Sequence, residues 1–118
     1  MKGDALVSAF PESQAGLDLV FTTEKKGYAA ASIQKEGKEL ATVAISDLLE
    51  DEAGRAKFAD AANLIAGHPS LPRGSKGTAI LVDGRFQVQV RSQAEGFGEA
   101  QRKAVLEKVQ FSALPKTR

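Results

Sequence analysis

The 118-residue chain reads as an α+β domain, an antiparallel sheet of about five or six strands with two helices in the order (β)βββαββα. Three observations predict this. Leu17, Leu19, Phe21 and Thr23 alternate with Asp18, Val20, Thr22 and Glu24, the two-residue period of a half-buried strand. Asp83-Gly84 separates two further alternating runs and signals a hairpin, because a type I′ turn needs positive φ at both central residues. Phe58, Ala61, Ala62 and Ile65 recur at the spacing of a single helical stripe.

From the N-terminus, residues 5–10 are expected to form a short strand ahead of Pro11. The alternating run is the next strand, and Lys25-Lys26-Gly27 turns it back. Tyr28 to Gln34 follows as a strand of small side chains, with Tyr28, Ala30 and Ser32 opposed to Ala29, Ala31 and Ile33. A polar turn at 35–39, centred on Gly37, leads to Leu40–Ile45, which completes a three-stranded meander. Ser46 is the expected N-cap of a helix. Asp47, Glu50, Asp51 and Glu52 suit the positive end of its dipole. Gly54 costs about 1 kcal/mol inside a helix, so the segment divides into a turn at 47–51 and a helix at 53–66. Gly67 and Pro69 end that helix, and His68 is expected to complete its cap. A loop over 67–77 leads to the Asp-Gly hairpin.

In the simplest two-residue register Val82 pairs with Arg85 and Leu81 with Phe86. Ala79, Leu81, Phe86, Val88 and Val90 then form a core face. The opposite face holds Thr78, Ile80, Val82, Arg85, Gln87, Gln89 and Arg91. A last helix spans about 98–112, with Ala104, Val105, Leu106 and Val109 apolar and Glu99 set to pair with Lys103. Pro115 ends ordered structure and the final three residues fray. No repeat or composition shift divides the chain, so residues 1–118 are read as one domain.

An apolar fraction of 42% is enough for one core. Phe10, Phe21, Phe58, Phe86, Phe97 and Phe111 are its expected bulky members. The chain has no cysteine, which removes disulfides, thiol nucleophiles and thiolate metal sites and suits a reducing compartment. No run approaches the ~20 apolar residues of a membrane span, and the first residues do not resemble a signal peptide. The expectation is a cytoplasmic protein with no membrane partner. Charge is unevenly spread: residues 1–70 carry a net −4 and residues 71–118 a net +5, which can create a bipolar surface, but a compact fold interleaves the halves, and a mixed, well-solvated surface is the expectation.

The usual vocabulary of chemistry is thin. Gly74-Ser75-Lys76-Gly77-Thr78 is not a phosphate loop, because position 69 is Pro, Lys76 precedes Gly77, and a strand follows where that motif needs a helix. Gly96-Phe97-Gly98 lacks the strand and third glycine of a dinucleotide fingerprint. His68 is the only histidine, whereas nucleophilic triads and most metal sites need further placed partners. The acidic run has no calcium-loop spacing. No catalytic residue, metal or cofactor is therefore assigned, and the chain reads as a non-enzyme.

The most informative feature is the row Arg85, Gln87, Gln89 and Arg91. Four long polar side chains at a strand repeat offer planar donors, and Ile80 and Val82 add aliphatic surface to the same face. With Tyr28 they form the candidate binding residues. The leading expectation is a non-catalytic binding or adaptor protein (immunity-, inhibitor- or chaperone-like) that works through protein–protein contact, a homodimer being one form of it. The alternative is a single-stranded nucleic-acid binder tracking a backbone with Lys25, Lys26, Lys35, Lys38, Arg85 and Arg91. Such proteins stack bases on exposed aromatics, and here Tyr28 and Phe97 are the only candidates.

Overall fold

The β-rich runs hydrogen-bond into a single seven-stranded antiparallel sheet in the order β1-β2-β3-β7-β6-β5-β4. This is seen in a computed structural model that describes residues 10, 18–25, 27–48, 51–59, 61, 63–74, 76–82, 84–94 and 96–110. The strands are β1 Asp18–Lys25, β2 Tyr28–Lys35, β3 Lys38–Asp47, β4 Asn63–Ile65, β5 His68–Pro72, β6 Gly77–Val82 and β7 Phe86–Ser92. The described residues also form two helices, α1 Glu52–Ala56 and α2 Glu99–Glu107. The α+β class and the antiparallel sheet are as the sequence predicts, with seven strands in place of five or six. The expected strand at 5–10 (Phe10 apart), Leu17, Lys26, Glu50, Ala62, Asp83, Phe111 and the chain end beyond 110 lie outside the described residues.

Two strands come from a segment expected to be helix and loop. Among the described residues of that segment only Glu52–Ala56 is helical, and its N-cap is Asp51, whose carboxylate accepts from the Gly54 amide at 2.9 Å. Ser46 and Asp47 belong to β3 instead. Beyond α1, Ala66 (φ 54) and Gly67 (φ 84) form a two-residue turn that sets Ile65 opposite His68. Positive φ at both positions is the mark of a hairpin turn whose twist matches its strands. The apolar stripe fails for a packing reason. Ile65 joins the main core, while Phe58 packs with Leu48, Ala79, Leu81 and Leu71 in a second cluster. One helix face cannot serve two sides of a sheet. Breaking the chain between Phe58 and Ile65 lets each bury its side chain. His68 is accordingly the first residue of a strand.

The first face of the sheet carries the main core. Ala29, Ala31, Ile33, Ala41, Val43, Ile45, Ile80, Val82, Phe86, Val88 and Val90 are all buried there. Leu106 from α2 and Val109 just beyond its end, with Phe97 and Phe10, cover it. Each fully buried aliphatic or aromatic side chain contributes roughly 1.5–3 kcal/mol over leaving it in water. The final helix is shorter than expected, and the anticipated Glu99–Lys103 ion pair does not close. Phe21, expected in the core, is 41% exposed and meets Phe10 edge-on at 4.9 Å between ring centroids. Among the described residues no helix is long and apolar enough to cross a membrane.

Two bulges decide which side chains share a face. In β1 the register shifts between Phe21 and Thr23, moving Thr23 off the Leu19/Phe21 face predicted for it. The second lies at the Asp-Gly turn. The Arg85 amide donates to the Val82 carbonyl at 3.0 Å, as in a tight turn, but the ladder resumes with Val82 opposite Phe86, Leu81 opposite Gln87 and Ile80 opposite Val88. Arg85 is thus an extra residue, and its own carbonyl is taken by the Leu48 amide at 2.8 Å. The expected pairings of Val82 with Arg85 and Leu81 with Phe86 are corrected by one position. A one-residue slip exchanges the faces of a strand. Ile80 and Val82 therefore turn into the core, while Ala79 and Leu81 move to the other side.

Candidate binding face

The second face of the sheet gathers part of the predicted site into three cross-strand rows. Register places Tyr28, Ser46 and Gln87 side by side, then Ala30, Ala44 and Gln89, then Ser32, Thr42 and Arg91. Neighbouring strands stand ~4.8 Å apart and successive rows ~6.6–6.8 Å. The result is a shallow lattice with long amide and guanidinium side chains along β7 and small side chains on β3 and β2. Gln87, Gln89 and Tyr28 are half-buried, and Arg91 is exposed. Among the described residues, the cluster of Leu48, Phe58 and Leu71 covers only the β6–β5 half of this face.

Polar contacts anchor two edges of the lattice. The Ser32 hydroxyl donates to the Glu39 carboxylate at 2.8 Å, and Gln34 Nε2 donates to the same hydroxyl at 3.2 Å. The pairing works because the register shifts between Ile33 and Gln34, so that Gln34 stands opposite Glu39. At the other end the Lys25 ammonium sits 5.5 Å from the centroid of the Tyr28 ring. That cation–π contact occupies the one aromatic ring of the nine-residue lattice.

Three of the seven predicted site residues do not belong to this face. Ile80 and Val82 are 0% and 1% exposed and lie in the core. Arg85 is re-aimed by its bulge: Nε and Nη2 each donate to a carboxylate oxygen of Asp47 at 2.8 Å, and its guanidinium carbon lies 4.8 Å from the Phe86 ring centroid. The Asp47 hydrogen bond raises the Arg85 pKa above its ordinary value, burial opposes this, and the carboxylate charge adds to the rise. Arg85 is thus a charge balanced within the fold, while Tyr28, Gln87, Gln89 and Arg91 do come together.

One buried cation carries no motif. Arg102 on α2 is 7% exposed. Its Nε donates to Thr78 Oγ1 at 2.9 Å and its Nη1 to Ser92 Oγ at 2.8 Å. The signal that finds it is spacing, since 102, 106 and 109 follow one helical stripe and Leu106 and Val109 are its apolar members. Among the described residues no group of three His, Asp or Glu side chains is placed to hold a metal ion. No family model, curated protein or solved structure matches the chain.

Proposed function

We propose that this protein is a non-catalytic binding module whose partner is another protein, docking on the second face of the sheet over β2, β3 and β7. The observation that supports the reading is the in-register lattice of Tyr28, Ala30, Thr42, Ala44, Ser46, Gln87, Gln89 and Arg91. Small side chains on β2 and β3 allow a partner's backbone to approach. Gln87 and Gln89 supply amides that both donate and accept, and Arg91 is placed to meet a carboxylate bidentately. This mixture resembles the rim and core chemistry of protein interfaces more than it resembles bare solvated strand. Binding to single-stranded nucleic acid is disfavoured by the same geometry, because the ring of Tyr28 is already covered by Lys25 and base stacking needs free aromatic faces. The cysteine-free chain suits a reducing compartment, and we assign it to the cytoplasm.

Site-directed photo-crosslinking in cells tests this. A photoreactive residue at position 89 is expected to give a discrete protein adduct, and adding Ala44→Arg abolishes it by blocking the centre of the lattice. The same probe at Leu64, exposed at the far edge, gives none. Adducts to nucleic acid, or protein adducts indifferent to Ala44→Arg, would overturn the reading.

A further inference from the structure

We propose a second binding site, formed by the β5–β6 loop and the start of α2 with Arg102 at its floor, for the phosphate group of a small molecule. The starting point is charge. Arg102 is buried, and its two partners are hydroxyls, which are dipoles and not counter-charges. Buried cations are ordinarily matched by an anion because desolvation of a lone charge is expensive. Arg102 has no carboxylate partner among the described residues.

One end of the guanidinium is also uncommitted. Nε and Nη1 serve Thr78 and Ser92, and Nη2 has no protein partner among the described residues. No fully buried side-chain nitrogen or oxygen among them is left unpaired. Nη2 must therefore reach an accessible surface, and Arg102 lines two clefts. One is a cleft of about 480 Å³ that also includes Gly74, Thr78 and Lys103. The other, about 420 Å³, includes Lys76 and Gly98. A third, of about 320 Å³, shares Pro72 and Gly74 with the first and adds Arg73 and Arg91.

Five cations thus border three clefts around one loop, and Glu99 is the one carboxylate among the described lining residues. A backbone contact closes the loop between Arg73 and Gly77. The Arg73 amide donates to the Gly77 carbonyl at 2.8 Å, and a Cβ on Gly77 would stand 2.6 Å from the Arg73 carbonyl oxygen. Lys76 shares one cleft with Arg102, while Arg73 lines the neighbouring cleft that meets the other at Pro72 and Gly74. Lys103 in one cleft and Lys76 in the other, each beside the planar guanidinium of Arg102, fit a tetrahedral dianion better than a lone carboxylate, and the N-terminus of α2 adds its positive dipole end. The stretch 74–78 departs from a phosphate loop because side-chain charge, not a cradle of helix amides, would hold the anion.

NMR titration at low ionic strength, with inorganic phosphate, pyrophosphate and citrate as separate probes, tests the site. Saturable shifts confined to the loop at 73–77, to Ser92–Gly98 and to the first turn of α2 are expected, with pyrophosphate binding more tightly than citrate. Lys76→Ala and Lys103→Ala, both at exposed positions, each weaken pyrophosphate about fivefold, the loss of roughly one solvent-screened charge contact. Glu99→Gln strengthens it by a few fold, whereas Lys25→Ala at the opposite end of the sheet leaves it unchanged. These variants spare Arg102, so a folding defect does not mask the answer. Unsaturable shifts spread over all Lys and Arg side chains, or an effect of Lys25→Ala equal to that of Lys76→Ala, would show Arg102 to be a purely structural tie. Citrate binding as tight as pyrophosphate would overturn the phosphate assignment.

Discussion

Arg85 and Arg102 sit at opposite ends of the sheet, and both are largely withdrawn from water, but the fold treats them differently. Arg85 meets Asp47 through two parallel hydrogen bonds of 2.8 Å, with side-chain exposures of 11% and 10%. Its charge is cancelled where it stands. Arg102 is held as firmly in space, yet by Thr78 and Ser92, so its orientation is fixed while its charge is not cancelled. Position and neutralisation are thus separate tasks, and only at Arg85 does one partner perform both. The raised pKa of Arg85 carries a sign. Folding favours its charged form, so that contribution is complete at every pH below the ordinary arginine range and is lost only as pH climbs through the raised value.

Four substitutions measured by urea denaturation would sharpen or break this contrast. Asp47→Ala is expected to cost most, about 3–5 kcal/mol, because it strands a nearly buried cation; a cost under about 1 kcal/mol would mean that the pair is effectively solvated. Thr78→Val should cost about 2 kcal/mol, within the range for a hydrogen bond to a charged group. It should cost less than Asp47→Ala, since the freed N–H lies beside clefts that admit water. Arg85→Lys keeps the charge and loses the forked geometry, for an expected loss of about 1–2 kcal/mol. Arg91→Ala, at an exposed position on the same strand as Phe86, should change stability by no more than about 0.5 kcal/mol.

Much of the fold was legible in local pattern, and what was not has identifiable causes. The meander, the Asp-Gly turn and the last helix follow from alternation, turn residues and a helical stripe, which are properties of a few consecutive residues. On β7 the alternation alone separates Phe86, Val88 and Val90 from Gln87, Gln89 and Arg91, as the burial shows. The face of β6 was not legible, because it depends on a bulge fixed by a distant partner, the Leu48 amide on the Arg85 carbonyl. With that bulge in place, Ile80 and Val82 face the core and Arg85 reaches Asp47. Asp47 itself suits a helix start when read locally, and becomes a counter-ion only once β3 and β7 are paired. The β4–β5 hairpin was hidden in the same way, since Phe58 and Ile65 match one helix stripe until the sheet offers each a different side. Four of the nine lattice residues, Tyr28 with Gln87, Gln89 and Arg91, were legible because their alignment needs no bulge.

Ala66 holds a left-handed backbone, φ 54, in which a Cβ costs roughly 1–2 kcal/mol, and it stands in an alanine-rich stretch whose local preference is helical. Along this margin the chain's neighbourhood preferences and its global arrangement pull in opposite directions, and only three residue pairs join β4 to β5. Such a margin is expected to open before the rest of the domain, at the cost of the Ile65 side chain's place in the core. Asn63, Leu64 and Ile65 also wall the largest of the clefts beside Arg102. The hollow at that end therefore has one side built on β6 and α2 and another carried by a strand of three residues, whose fraying would widen it.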